Sequence, residues 1–488
     1  MWLLKQSFYK VFCGGEDLNE VRGTMDKLRK RGVQSVLDYA VEASPDDVAA
    51  MSAETFEENL RLTWDAVKAV SDERDGLVAV KVTALGPTST MERAGIVTAA
   101  VERLFAELCG VPVSAGHRRT LPDLLISKEL TKETFVKGIQ QLQTEKSMPV
   151  APEGELNRIF NRLLEQPGGG DDKTKVSFYQ WCHLLQPHMV GRADLSVFKE
   201  LIPPLSDEDV KEVEATEERL FRLCEMTEKV ETKPSLLVDA EHSPLQGFIR
   251  AVTINAQKKF NKNGKSLVYN TYQAYLKETK SQLTSDLEMA RRFGVTFALK
   301  LVRGAYMSFE RRTAEENGYP SPVHDCLEDT HNSYDACVRL LLSNIDRVAL
   351  FMGSHNAESL QKATALLYEI CEERNSGVGK DGKPGAGAST DLLTPASLPV
   401  SFGQLLGMGD HLTFTLSDSG FRVYKYVPYG PVDVTIPYLL RRAQENAGMM
   451  GGAGRELFFV AEEVKNRVKG WLGRKEQTSD SGQYATRR

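Results

Sequence analysis

The 488-residue sequence predicts an α/β fold, a distorted (βα)8 barrel of the TIM type with a helical insertion after the second strand. Three observations predict it: eight short apolar segments that read as strands, helix-like segments between them, and polar residues gathered at one end of the strands. In order the strand segments are "VQSVLDYA" (33–40), "LVAVKVTAL" (77–85), "SLLVDAE" (235–241), "SLVYNTYQ" (266–273), "TFALKLVRGA" (296–305), "VALFMGSHN" (348–356), "PVSFGQLLG" (399–407) and "FRVYKYVPYG" (421–430). Most are near-continuous runs of β-branched and aliphatic residues, as expected of parallel strands covered on both faces. "ESLQKATALLYEICEER" (358–374), apolar at helical spacing, typifies the connecting helices.

The spacing breaks once. From Leu85 to Ser235 the span is too long for one βα unit, which predicts a helical insertion at 111–210. The expected organisation is an N-terminal segment (1–32), a first part of the barrel (33–110), the insertion, the remainder of the barrel with a C-terminal capping helix (211–465), and a disordered tail (466–488). Inside the insertion, "LEQPGGGDDKTKVSF" (164–178) resembles a calcium loop but lacks the ligand order and the closing glutamate. "NSGVGKDGKPGAGAST" (375–390) reads as a mobile surface loop. Its Gly377, Gly379 and Gly382 spell G-x-G-x-x-G, but they follow a helix where a phosphate loop needs a strand before and a helix after.

Composition narrows the function. Hydrophobic residues make up 41% and charged residues 26%, ordinary for a chain with a real core, and a net charge of −6 predicts no nucleic-acid partner. The seven cysteines are scattered, with no C-x-x-C, which predicts reduced thiols. No histidine pair has metal spacing, so no metal is expected, and no run of 18 apolar residues predicts a membrane span. The opening "MWLLKQSFYKVF" is basic but short for a transit peptide.

Polar residues collect at the C-terminal ends of the strands: Lys81, Asp239 with Glu241, Gln273, Lys300 with Arg303, His355 with Asn356, and Tyr426. That end is where barrels of this class build their active sites. In "ALKLVRGAYMSFER" (298–311), Gly304 would let a planar or phosphate-bearing ligand approach the backbone, with Lys300 and Arg303 as nearby cations. "GSHNAESL" (353–360) sets Ser354 and His355 before a helix N-terminus. "IPYLLRRAQEN" (436–446), written as a helix, aligns Tyr438, Arg441, Arg442 and Glu445 on one face, and an arginine fork suits bidentate recognition of a carboxylate.

The blocks "KVTAL", "VDAE", "YNTYQAYLK", "KLVRGAY", "SHN", "FGQLLGM", "YKYVPYGPV" and "PYLLRRAQEN" together resemble, in order, eukaryotic proline dehydrogenase over roughly residues 33–110 and 211–460. The resemblance implies a barrel that holds FAD non-covalently and oxidises L-proline to Δ1-pyrroline-5-carboxylate. It also implies peripheral contact with the matrix side of the mitochondrial inner membrane and a ubiquinone-type electron acceptor. Carried over by residue, Arg441 and Arg442 with Lys81 clamp the carboxylate, Tyr438 and Tyr426 wall the ring, and Leu406 adds an apolar contact. By the same resemblance Asp239 would be the active-site acid, with Lys300 also in a catalytic place. Ala240, Gln273, Lys300, Val302, Arg303, Gly304, Ala305, Ser354 and His355 are flavin contacts, and Glu445 anchors an arginine. A buried cluster of cations is expected to favour the neutral substrate amine. Two positions depart from the family pattern: Lys300 stands where many bacterial relatives carry arginine, and Met307 replaces a bulkier aromatic. Hydroxyproline-oxidising members carry a smaller residue where this chain has Tyr426, which favours proline here. On the residues alone, a Schiff-base aldolase with Lys300 as nucleophile and a non-enzymatic scaffold remain as rivals.

Overall fold

The apolar segments become the staves of a barrel: β1 (Gln34–Tyr39), β2 (Leu77–Val80), β3 (Ser235–Val238), β4 (Val268–Gln273), β5 (Phe297–Val302), β6 (Val348–Gly353), β7 (Val400–Leu405) and β8 (Val423–Tyr429). The computed structural model describes residues 8–40, 52–72, 75–112, 122–376, 392–436 and 438–443. All eight strands run parallel and close in chain order, β8 pairing back onto β1 with Gln34 opposite Tyr424 and Tyr39 opposite Tyr429. The predicted barrel is thus the observed one. Several strands end sooner than the apolar runs do: β2 stops at Val80, and Lys81 leads into a 3-10 turn, Val82–Ala84.

Alternation along the strands decides what each side chain meets. Val36, Leu77, Ala79, Leu237, Phe351 and Tyr424 pack together inside the barrel. Their neighbours Leu37, Val78, Val80, Leu236 and Val238 face outward onto helices α1 (Leu18–Arg29), α2 (Ala53–Val70), α3 (Thr88–Leu108), and, further along, the helix Asp207–Glu228 before β3 and the helix Ser243–Phe260 after it. Glycine matters at one interior position: a Cβ on Gly403 would sit 2.3 Å from the Phe351 ring, which occupies that space. Ser52 caps α2 by accepting from the Thr55 N–H, and Ser206 caps Asp207–Glu228, whose first turn is acidic, as a helix dipole favours.

The stretch after α3 contains the helices α4 (Lys132–Glu145), α5 (Glu153–Leu164) and α6 (Phe178–Leu184), to which α7 (Asp207–Glu228) adds the return to the barrel. It is not wholly helical: Glu129–Leu130 and Val176–Ser177 form a two-residue antiparallel pair. Its core is aromatic, with the buried Trp181 among Phe105, Phe135 and Phe198, and the indole N–H donating to the Val101 carbonyl at 2.9 Å. In the calcium-like loop, the carbonyls of Gly168 and Gly170 take hydrogen bonds from Arg292 and Lys173.

The remaining barrel helices are α8 (Ser243–Phe260), α9 (Thr279–Phe293), α10 (Met307–Glu316), α11 (Leu327–Leu342), α12 (Ala357–Asn375) and α13 (Asp410–Asp418). Residues 8–15 run beside β8: the Tyr9 hydroxyl donates to the Gly430 carbonyl at 2.7 Å and the Gly14 N–H to Pro428 at 2.8 Å. All seven cysteines are unpaired, and among the described residues no helix is long and apolar enough to cross a membrane. The chain forms two compact units, Met1–Thr435 and Ile436–Arg488. In the second, residues 438–443 are helical. The glycine loop with Gly377, Gly379 and Gly382, and the tail at 466–488, lie outside the described residues.

Candidate active site

One step beyond the apolar filling of the barrel, the same alternation turns polar side chains inward. Val36 is followed in its inward rank by Asp38, Ala79 by Lys81, Leu237 by Asp239, and Tyr424 by Tyr426. On β5, Leu299 and Leu301 pack outward, which leaves Lys300 facing in. These five residues form one continuous network. Lys81 Nζ lies 2.5 Å from Asp38 Oδ1 and 3.7 Å from Asp239 Oδ2, Lys300 Nζ binds Asp239 Oδ1 directly, and the Tyr426 hydroxyl donates to Asp239 Oδ2 at 2.8 Å. The Lys300 ammonium also sits 5.5 Å from the centroid of the Tyr426 ring.

Electrostatics follow from this packing. Burial opposes ionisation of Asp239, but Lys300 and Lys81 outweigh it and hold the carboxyl below the usual carboxylate range. Asp38, absent from the sequence prediction, changes the charge count: two buried ammonium groups face two buried carboxylates. Among these four groups the charges balance. The signal for Asp38 was one acid in the apolar run "VQSVLDYA", two residues after the inward Val36. Lys300 in an ion pair is also a poor nucleophile, which weighs against the Schiff-base chemistry.

A second cluster gathers around Arg303, just past β5. Its Nε donates to His331 Nδ1 at 2.9 Å, and its two terminal nitrogens to Ser354 Oγ at 2.8 Å and Ser359 Oγ at 2.9 Å, while the guanidinium lies 4.3 Å from the Tyr334 ring. Since His331 Nδ1 accepts, the ring is neutral; burial, with help from Arg303, pulls its pKa below the ordinary value. His331 and Ser359 lie on helices and carry no local motif. Ser354 is buried, and His355 Nε2 accepts the Leu405 N–H at 3.0 Å.

The other predicted residues of the first unit fall at the same end of the barrel. Ala240 is half-buried after β3, and the Gln273 amide donates to the Glu241 carbonyl at 2.9 Å. Val302 closes β5, followed by exposed Gly304 and Ala305. Gly304 has φ +133°, and a Cβ there would lie 1.6 Å from the Tyr275 ring, so a neighbouring side chain already demands glycine. Leu406, in the turn after β7, donates its N–H to the Tyr426 carbonyl at 3.0 Å. Met307 opens α10 and is exposed. In the second unit, Tyr438, Arg441 and Arg442 share one helical segment, with the Arg442 guanidinium 5.0 Å from the Tyr438 ring. Glu445 lies outside the described residues.

A closed parallel barrel with ion-paired acids and bases at the C-terminal ends of its strands is the architecture of a barrel enzyme. Residues 21–453 match the family described as proline dehydrogenase, and the chain belongs to that family. It is 29% identical to proline dehydrogenase 1, mitochondrial, of Caenorhabditis elegans, over 95% of this chain and 79% of that one. The human protein of the same name is also 29% identical, over 96% and 81%. The hydroxyproline dehydrogenase of Bos taurus is 30% identical, over 96% and 82%. Among solved structures, proline utilization A (PutA) from Bdellovibrio bacteriovorus, inactivated by N-propargylglycine, shares the fold with a TM-score of 0.56 at 17% identity. The match covers 90% of this chain and about a third of that longer one, 33%.

Proposed function

We propose that the protein oxidises L-proline to Δ1-pyrroline-5-carboxylate with FAD as its cofactor, passing the electrons to a ubiquinone-type acceptor at the matrix face of the mitochondrial inner membrane. The observation that carries the reading is the network of Lys81, Asp239, Lys300 and Tyr426 at the barrel mouth of a proline dehydrogenase family member. Relatives named mitochondrial support the location.

The residues present fit FAD. Arg303 has five N–H donors and spends three on His331, Ser354 and Ser359, which leaves two for a phosphate oxygen. The exposed backbone at Gly304 and Ala305 lies beside it. Ala240, Gln273, Lys300, Val302, Arg303, Gly304, Ala305, Ser354 and His355 would hold the cofactor, with Glu445 anchoring an arginine. When bound, FAD supplies a two-electron acceptor for the carbon next to the ring nitrogen.

The chain's own task is to seat the ring and its carboxylate. Arg441 and Arg442, assisted by Lys81, bind the carboxylate; Tyr426 and Tyr438 wall the ring, and Leu406 gives an apolar contact. Asp239 fixes Lys300 and Tyr426 through one carboxylate, so both are oriented before substrate arrives. Each charge-assisted contact is worth roughly 1.5–3 kcal/mol, so losing either arginine costs about one to two decades in kcat/KM.

The test is anaerobic mixing of the yellow holoenzyme with L-proline. Bleaching by L-proline but not by trans-4-hydroxy-L-proline is expected; no bleaching by either refutes the reading. A hydroxyproline dehydrogenase is the second reading, favoured by the bovine relative, and preferential bleaching by hydroxyproline would establish it.

A further inference from the structure

We propose that His331 is a positioning residue for the cofactor: it locks the Arg303 guanidinium in place before a phosphate of FAD arrives. The inference rests on the FAD-dependent reading and deepens it.

Arg303 is set apart by what does not neutralise it. The arginines buried or half-buried on the helices around the barrel each meet an acid: Arg219 meets Glu57 at 3.0 Å, Arg250 meets Asp286, and Arg292 meets Glu288 at 2.7 Å. Arg303 is half-buried too, yet among the described residues it is in an ion pair with no carboxylate. Its three hydrogen-bond acceptors, His331 Nδ1, Ser354 Oγ and Ser359 Oγ, are all neutral. A guanidinium held by neutral acceptors keeps its charge available for an anion, and its planar fork suits phosphate.

Helix α11 builds most of the seat. In "THNSYD" (330–335), His331, Tyr334 and Asp335 stand at i, i+3 and i+4, on one helical face. The fully buried Tyr334 ring lies 4.3 Å from the guanidinium. Asp335 accepts the Ser359 hydroxyl at 2.5 Å, which spends that group's one hydrogen and leaves its oxygen to accept from Arg303. The charge of Asp335 is itself met by Lys362 at 2.9 Å. Both serines also make backbone contacts: Ser354 Oγ accepts the Asn356 N–H at 3.1 Å, and the Ser359 N–H donates to Asn356 Oδ1 at 2.8 Å. His331 differs from them. It is half-buried, and among the described residues its ring makes one hydrogen bond, the one to Arg303 Nε. With Nε and both terminal nitrogens engaged, the guanidinium is ordered in advance, and less conformational freedom is left to lose when a phosphate binds.

Ordering one long side chain changes affinity by roughly two- to tenfold. The test follows FAD release from diluted holoenzyme by the rise of free-flavin fluorescence. His331→Leu should release FAD about fivefold faster than the wild type. His331→Asn, whose side-chain oxygen reaches the place of Nδ1, should restore slow release. In an Arg303→Lys background, which has no Nε to hold, His331→Leu should change the release rate by less than about twofold. If His331→Leu does not fold, His331→Phe keeps a flat ring without the acceptor and carries the same expectation. An unchanged rate overturns the inference. So does equal acceleration by His331→Asn, or undiminished acceleration in the Arg303→Lys background, since either would mark a role in packing alone. Wild-type protein that binds no FAD refutes the reading of function, whereas a flavoprotein whose release is indifferent to His331 refutes only the positioning role.

Discussion

Asp239→Asn removes the charge at the centre of the barrel mouth while keeping the shape of the side chain. The carboxylate serves Lys300 through one oxygen and Tyr426 and Lys81 through the other. An amide retains one acceptor and loses the charge. Lys81 still has Asp38 at 2.5 Å, but among the described residues Lys300 has no second carboxylate. Breaking a buried pair from one side costs 3–5 kcal/mol, and with Asp239 14% and Lys300 9% exposed the lower end applies, about 3 kcal/mol. For a chain this long, roughly 1–2 °C is lost per kcal/mol, so Tm should fall about 3–6 °C. The folded-state pKa of Asp239 lies below its unfolded value of 3.8, so the unfolded chain takes up the proton first. Its contribution is present above about pH 4 and is lost as pH falls through the folded value, and the difference between variant and wild type should fade there. Calorimetric scans from about pH 3 to about pH 8 measure both effects. Adding Lys300→Met to Asp239→Asn should cost less than the sum of the two single changes, because it removes the stranded ammonium. A variant as stable as the wild type near neutral pH, or a strictly additive double variant, would refute the assignment of Asp239 as the mouth's organising anion.

Three further predictions are independent of that one. Gly304→Ala should lower Tm and flavin content together, since its Cβ would meet the Tyr275 ring at 1.6 Å in a backbone conformation that costs about 1–3 kcal/mol for alanine; normal flavin content at normal Tm would count against this. Arg441→Lys keeps the charge but loses the fork, and kcat/KM for L-proline should drop by about one to two decades, measured by steady-state kinetics. His183 is pulled down to about 4 by burial, with a smaller contribution from Lys258. Its folded pKa lies below the unfolded 6.5, so stability should rise with pH between about 4 and 6.5, and urea titrations of His183→Gln should show a shallower slope there.

The eight staves were legible because parallel strands buried on both faces leave unbroken apolar runs. Their ends were not, because the ladder stops where the chain bends: Lys81 and Glu241 extend apolar runs that the barrel has already released into turns. The site residues on strands could be listed from the sequence, but their charge balance could not. Asp38 is one acid in an apolar segment, and only the closure of β1 beside β2 brings it to Lys81. His331 lies 28 residues beyond Arg303 on a helix, so its role depends on how α11 packs. The strands Glu129–Leu130 and Val176–Ser177, two residues each, are too short to leave an apolar run in the sequence.

The pairing of β1 with β8 also sets a timetable for the newborn chain. Gln34 must wait for Tyr424, and Tyr9 for Gly430, 421 residues later. At cellular synthesis rates of about 5–20 residues per second, the first strand stands with one edge unsatisfied for roughly 20–80 seconds. Asp38 comes from that first strand and Tyr426 from the last, so no partial translation product can assemble the network. The network therefore arrives all at once, at barrel closure, and the interval before it is when chaperones have most to protect.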